Sequence, residues 1–324
     1  MIVVTGAAGF IGSAIVWRLN TLGKEDVIIV DELGLEEKWK NLVGLKYADF
    51  VHKDDFISMI LEEDFSFKIE ALIHMGANSS TTEKNADHLL FNNYEYTKEL
   101  AKYSLKNNIR FIYASSAATY GDGSLGFDDD ESKLEKLRPL NMYGYSKQMF
   151  DLWARRQGIL NKIVGLKYFN VFGPNEYHKG NMRSVAHKAF GQINETGKLR
   201  LFKSHNPKYK DGEQYRDFIY IKDAVDMTLF FLEHIEKNGI YNIGAGKART
   251  WNDLAKAIYS AMGKPLKIEY FDPPKHLEEK YQYFTEANLD KIKKAGYSKP
   301  ITTLEDGMTD YVKNYLLKEK YLGY

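Results

Sequence analysis

The 324-residue chain contains no cysteine. That excludes disulfides, thiolate metal sites and covalent catalysis by a cysteine nucleophile. No stretch approaches the roughly 18 consecutive apolar residues of a membrane span. An excess of charge is also missing. The 45 Lys and Arg nearly balance the 44 Asp and Glu, so neither nucleic acid nor an acidic membrane is implied as a partner. There is no tandem repeat and no low-complexity tract. His74, His178 and His205 are scattered without ligand spacing, and no metal site is expected. The chain opens on a strand-like run, Met1 to Thr5, without the basic region of a signal peptide, so a soluble cytoplasmic protein is expected. What is present is a hydrophobic content of 44%, enough for a sizeable core. The length suggests two domains, or one large domain with an insertion.

The first half alternates two patterns. Ile2-Val3-Val4, Val27 to Val30, Ala71 to His74, Phe111 to Ala114 and Val164 to Phe169 read as short buried strands. Ile11–Leu22, Lys53–Glu62 and Asn93–Asn107 read as helices between them. Continuous apolar strands separated by helices imply a doubly wound α/β fold, a parallel sheet covered on both faces. Beyond Asn170 the pattern is less regular, with a helix near Met182–Glu195, a strand at Phe218 to Ile221 and a strand at Leu266–Phe271. Asp223 stands where an N-cap would precede a helix over Ala224–Leu232. The expected division is a dinucleotide-binding domain of residues 1–169 plus about 218–243. A smaller, discontinuous α/β domain then takes 170–217 plus about 244–324, with part of 282–290 returning to the first domain.

Gly6-Ala7-Ala8-Gly9-Phe10-Ile11-Gly12 follows the first strand and opens the first helix. In that context the GxxGxxG spacing is a phosphate cradle. Gly6 permits the tight turn, Gly9 lets the backbone approach a pyrophosphate, and Gly12 lets the helix pack on the strand. The helix N-terminus adds unpaired N–H groups and partial positive charge. Asp31, at the end of the second strand, is placed to bind a ribose 2′-hydroxyl, which favours NAD. Lys38, Lys40 and Lys53 lie nearby in sequence and supply compensating charge for a 2′-phosphate. Physics alone leaves NAD and NADP open.

Tyr143 and Lys147 lie four residues apart, one above the other on a helix. A free tyrosine titrates near 10. A cation held close to its oxygen favours the phenolate, giving an acid/base for an alcohol undergoing hydride transfer. Alone, this spacing also fits an ordinary amphipathic turn. Ser115-Ser116 follows another strand, at the carboxyl edge where open α/β sheets bind ligands. Ser116 can there hydrogen-bond a substrate hydroxyl or carbonyl.

With these motifs in order, the chain resembles an extended short-chain dehydrogenase/reductase of the nucleotide-sugar-modifying branch. His74-Met75-Gly76-Ala77, Asn92 in Phe91-Asn92-Asn93-Tyr94, Lys167-Tyr168-Phe169-Asn170-Val171-Phe172-Gly173-Pro174 and Arg216-Asp217-Phe218-Ile219-Tyr220-Ile221 match at the expected places. Asn78-Ser79-Ser80-Thr81-Thr82-Glu83, Ser115 to Gly121, His178-Lys179-Gly180 and Tyr281-Gln282 before Phe284-Thr285 narrow it. Within the branch, the sequence is similar to the ADP-glycero-manno-heptose 6-epimerases.

That resemblance implies tightly bound NADP (NAD remaining possible) and inversion of C6″ through a transient 6″-ketone, in heptose precursor synthesis for the lipopolysaccharide core. It assigns catalysis to Tyr143, Lys179, Lys147 and Ser116. The cofactor falls to Gly6, Gly9, Phe10, Ile11 and Gly12; to Asp31, Glu32, Lys38 and Lys53; to Met75, Gly76, Ala77, Asn78 and Ser79; and to Asn92, Lys147, Val171 and Lys179. The ADP-heptose falls to Ser116, Asn170, Asn181 and Lys188, to Phe202, Lys203, Ser204 and His205, and to Arg216 and Tyr281. A homo-oligomer, a pentamer, is implied too. Ala117-Ala118 stand where nucleotide-sugar dehydratases carry an acid–base pair, which argues against dehydration. A UDP-sugar 4-epimerase is the nearest alternative, and a non-catalytic NAD(P)-sensing module is the alternative of another class.

Overall fold

In the computed structural model, which describes residues 1–274 and 282–324, seven parallel strands form the central sheet. They are β1 (Ile2–Thr5), β2 (Val27–Asp31), β3 (Asp49–His52), β4 (Ala71–His74), β5 (Arg110–Ser116), β6 (Val164–Tyr168) and β10 (Gly239–Ile243). The order across the sheet is β3-β2-β1-β4-β5-β6-β10. All residues of β1, β2, β4, β6 and β10 are buried, as expected of strands with helices on both faces.

Helix α1 (Phe10–Thr21) packs against α7 (Ile221–Glu233), and Arg18 of the first pairs with Asp226 of the second at 2.8 Å. Helix α2 (Lys53–Glu62) packs against α4 (Tyr96–Lys106). A short helix, α3 (Ala86–Leu89), runs into α4 through a π turn at Leu90–Glu95, beside which lies α5 (Met142–Arg156). Asn141 starts α5 by accepting the Gly144 N–H at 2.8 Å, an ordinary asparagine N-cap. The chain order reverses between β1 and β4, so the crevice at their carboxyl ends is the switch point where such sheets bind ligands.

A second region covers that edge. Strands β7 (Asn170–Phe172), β9 (Tyr215–Tyr220) and β11 (Ala248–Thr250) form a small mixed sheet. Strands β8 (Leu199–Phe202) and β12 (Ile268–Phe271) form a parallel pair. Helices α6 (Val185–Thr196) and α8 (Trp251–Met262) pack on each other. The strand expected at Phe218 to Ile221 lies in this small sheet, and the chain re-enters the large sheet through α7 and β10. Residues 283–288 run between the two regions. Tyr283 and Thr285 bond to β9, while Asn288 bonds to Phe127 and Asn242.

Asp223 is not the cap of α7. The helix begins at Ile221, and the Asp223 carboxylate, in its first turn, accepts the N–H and hydroxyl of Thr302 at 3.0 and 2.9 Å. That contact comes from a segment far along the chain, invisible to a local pattern.

Candidate active site

The glycine turn has the shape its spacing implies. Gly6 has φ +66, and a Cβ there would meet the backbone of Gly76 at 2.6 Å. A Cβ on Gly12 would sit 2.1 Å from the Gly6 carbonyl. Gly9 is the N-cap of α1, with no side-chain cap and no acid in the first turn. The helix therefore presents uncapped N–H groups to an anion beside backbone that no side chain crowds. A dinucleotide pyrophosphate fits this cradle.

From the turn extends a cleft of about 680 Å³ along the carboxyl edge of the sheet. Every residue expected to hold the cofactor lines it: Gly6 to Gly12 at the three glycines with Phe10 and Ile11, Asp31, Glu32, Lys38, Lys53, Met75 to Ser79, Asn92, Lys147, Val171 and Lys179. Both oxygens of Asp31 are engaged within the chain. One accepts the Ala8 N–H at 2.8 Å, the other the Lys38 ammonium at 2.7 Å and the Glu32 N–H at 2.8 Å. Lys53 lies 3.3 Å from Glu32.

Ser116, Tyr143, Lys147 and Lys179 line the same cleft. Ser116 ends β5, and its hydroxyl accepts the Ala118 N–H at 3.1 Å. Burial pushes the Tyr143 phenol above its ordinary value, while a hydrogen bond with Ser116 pulls it down. Burial also lowers Lys147, to about 8, against the opposing charge of Asp151. In the protein alone, burial and Ser116 are the causes that shift Tyr143. Burial moves the two groups in opposite directions, each towards its neutral form, and the downward pull on Tyr143 comes from Ser116. Ala117 and Ala118 form the turn after Ser116, with Gly144 packed so close that a Cβ would lie 2.8 Å from the Ala118 carbonyl. His74 is structural, its ring nitrogens bridging Thr5 at 2.6 Å and Thr97 at 2.9 Å, and burial holds it well below its ordinary range.

Lys179 sits in a 3-10 turn, Tyr177–Met182, where Gly180 takes φ 50. Burial lowers its ammonium, opposed by Glu176. Sequence reasoning missed what holds this turn. Asn41 donates to the carbonyls of Ala8 (2.9 Å) and Asn175 (3.0 Å) and contacts His178 Nδ1 at 3.2 Å. Asn175 donates to the Ser13 hydroxyl at 2.9 Å and accepts the Leu322 N–H at 2.9 Å. Glu176 accepts from the hydroxyls of Ser184 (2.7 Å) and Tyr311 (3.0 Å). Arg183 was also missed. It lines the cleft, and its buried Nε has no hydrogen-bond partner among the described residues.

The expected sugar-nucleotide residues divide. Ser116 and Asn170 line the cleft. Lys188 donates to the Asn181 carbonyl at 2.6 Å, both outside the lining. Phe202 packs on Phe271, and Lys203 pairs with Asp272 at 3.2 Å. Ser204 accepts the Asn206 N–H at 3.2 Å and donates to the Asn206 carbonyl at 2.9 Å. The His205 N–H donates to the Tyr283 hydroxyl at 3.1 Å. This group lies away from the cleft lining. Arg216 stacks on Trp251, itself a lining residue, at 5.5 Å. Tyr281 lies outside the described residues.

Comparison with known proteins agrees with this architecture. Residues 2–244 match the NAD dependent epimerase/dehydratase family. The chain is 55% identical over 316 residues to the ADP-L-glycero-D-manno-heptose-6-epimerase of Nitratidesulfovibrio vulgaris (strain DP4), covering 98% of each. It is 49% identical over 328 residues to that of Fusobacterium nucleatum, covering 98% and 99%. Among solved structures, the Helicobacter pylori ADP-L-glycero-D-manno-heptose-6-epimerase superposes with a TM-score of 0.81 at 28% identity, over 97% of this chain and 95% of that one. The chain is a member of the NAD-dependent epimerase/dehydratase family, and its cofactor is accordingly a nicotinamide dinucleotide.

Proposed function

We propose that this protein is an ADP-glycero-manno-heptose 6-epimerase. The observation that carries the reading is the convergence of Ser116, Tyr143, Lys147 and Lys179 on the one cleft that begins at the glycine turn. The relatives' names supply the substrate. Bound nicotinamide supplies a reversible hydride acceptor. Tyr143 takes the proton of the C6″ hydroxyl as that carbon becomes a ketone, with Ser116 hydrogen-bonding the same oxygen. The ketone turns over and is reduced on its opposite face. One base cannot reach two opposed oxygen positions at hydrogen-bond distance of about 3 Å. Lys179, carried by a different region of the chain, serves the second. Burial lowers its ammonium, which eases the release of a proton to the substrate oxygen. The turn after Ser116 holds two alanines and no acid or base, which disfavours dehydration.

NADP is the proposed cofactor. Lys38 neutralises Asp31 and Lys53 faces Glu32, so the acidic strand end does not present bare carboxylates to a 2′-phosphate. Asn170 orients the sugar or the cofactor. The setting is cytoplasmic and the assembly a homo-oligomer, as the resemblance implies.

The test is to incubate the protein with ADP-D-glycero-D-manno-heptose and no added cofactor, following C6″ by NMR. Inversion is expected, with NADP released on denaturation. Failure to invert, or inversion of a UDP-hexose at C4″ instead, overturns the reading.

A further inference from the structure

We propose that the buried Asp151–Lys167 ion pair positions the Ser116, Tyr143 and Lys147 centre and sets the charge around it. The proposal rests on the acid/base reading above. Asp151 lies four residues beyond Lys147 and eight beyond Tyr143, on one face of α5. Asp151 and Lys167 are both 0% exposed.

The pair joins three elements under the cleft. Asp151 on α5 accepts from the hydroxyls of Tyr113 (2.9 Å) and Ser115 (2.7 Å) on β5. It lies 3.1 Å from the ammonium of Lys167 on β6, which pairs across the sheet with Ser115. Lys167 also donates to the Thr119 hydroxyl at 2.5 Å and lies 4.9 Å from the Tyr120 ring centre. The Thr119 hydroxyl in turn donates to the Ser116 carbonyl at 2.8 Å. The helix bearing Tyr143 and Lys147 is thus tied to the strand end bearing Ser116 through one charged pair and its hydroxyls. A network of this kind rigidifies when every member is satisfied, and the loss of one partner leaves a buried charge uncompensated.

The pair is also electrostatically asymmetric towards Lys147. Asp151 favours the charged amine, and Lys167 offsets Asp151. Around α5 the other titratable groups are His74 of β4, Tyr113 of β5, Tyr168 of β6 and Tyr120 in the turn. Asp87, His88, Tyr94 and Glu95 stand on the Ala86–Glu95 stretch, and Glu131, Lys133, Glu135 and Lys136 on the turn at Glu131–Lys136. Asp151 and Lys167 are the two of opposite charge that are wholly enclosed.

The test is a ¹³C NMR titration of lysine side chains in the cofactor-loaded protein, with the Lys147 signal identified by its loss in Lys147→Met. It needs no substrate, so it can fail independently of the proposed reaction. Asp151→Asn is expected to lower the Lys147 midpoint by about one pH unit, and Lys167→Met to raise it by about as much. The double variant buries no net charge and should return the midpoint towards the parent value. A merely structural pair would move both single variants in the same direction or not at all, and that result overturns the proposal. Thr119→Val keeps the ion pair and removes the hydroxyl through which Lys167 reaches the Ser116 carbonyl. It should fold, leave the Lys147 midpoint in place and lower the turnover rate about tenfold at constant KM, whereas an undiminished rate overturns the positioning role.

Discussion

The Lys179 ammonium lies 5.5 Å from the ring centre of Phe10, and so sets the turn at Tyr177–Met182 directly on the first residue of the helix that follows the glycine turn. A cation from the second region of the chain thereby stands over the cradle of the first. With Tyr143 on α5 lining the same cleft, the two groups have separate supports and separate environments. Tyr143→Phe and Lys179→Met are each expected to slow C6″ inversion by about 10²- to 10⁴-fold, the usual contribution of a positioned acid or base. NMR of the sugar and assay of bound nucleotide check both. A variant that is folded, cofactor-loaded and fully active would remove its residue from the mechanism.

Lys147 carries a pH dependence whose sign is fixed by its burial. Its folded-state value is lowered to about 8 from 10.5. Between those values the unfolded chain binds more protons at this site than the folded one, so its contribution to stability becomes more favourable as pH rises from about 8 to 10.5. Below about 8 the cost of burying the charge is fully present. Lys147→Met removes this linkage. The slope of the unfolding midpoint with pH across that window should flatten, and an unchanged slope would contradict the assignment. Activity moves the other way in the parent. As Lys147 discharges above about pH 8, inversion should decline.

The parts of the site that were legible in the sequence are those made by local spacing. Gly6, Gly9 and Gly12 declare a turn, and Tyr143 and Lys147 declare one helix face. Both hold because a few bonds fix them. Lys179 was found through resemblance, since a lysine in a polar turn has no local signature. The supports of that turn were not legible. Asn41, Asn175 and Glu176 act through partners as distant as Leu322 and Tyr311, and no window of sequence contains such pairs. The same physics explains the fold. Buried strands such as β1 stand out as apolar runs. The edge strand β3, Asp49–His52, has no buried residue and alternates too weakly to read.

Asn175 ties three segments together at a backbone φ of 77, which asparagine tolerates better than most residues. Its side chain bonds Ser13 and Leu322. Asn175→Ala leaves a buried hydroxyl and a buried N–H without those partners. A loss of about 2–4 kcal/mol is expected from the orphaned Leu322 N–H, the lost bond to a Ser13 hydroxyl that still donates to Phe10, and the strained φ, measured by urea unfolding. Because Asn175 stands two residues before the Lys179 turn and is tied to Asn41, which also contacts His178, inversion should fall as well, with slower turnover at unchanged nucleotide content. Full activity at reduced stability would show that the clamp holds the fold without placing Lys179.

Glu176 gives the last test, because it separates the charge of a residue from its shape. Its carboxylate is pushed up by burial and held down by Ser184, Tyr311 and Lys179, and it is the group that opposes the lowering of Lys179. Glu176→Gln keeps the outline and the acceptor for the two hydroxyls but removes the charge. It also turns an amide towards the Ser184 N–H, which the second carboxylate oxygen accepts. Stability should fall by about 1–3 kcal/mol, the usual cost of one buried unmatched donor. Without the neighbouring anion the charged form of Lys179 is less favoured, so its titration moves to lower pH. Whichever limb of the inversion profile reports Lys179 should move acidwards in this variant and disappear in Lys179→Met. A limb that moves to higher pH, or that survives in Lys179→Met, would belong to another group and break the link between Glu176 and the second base.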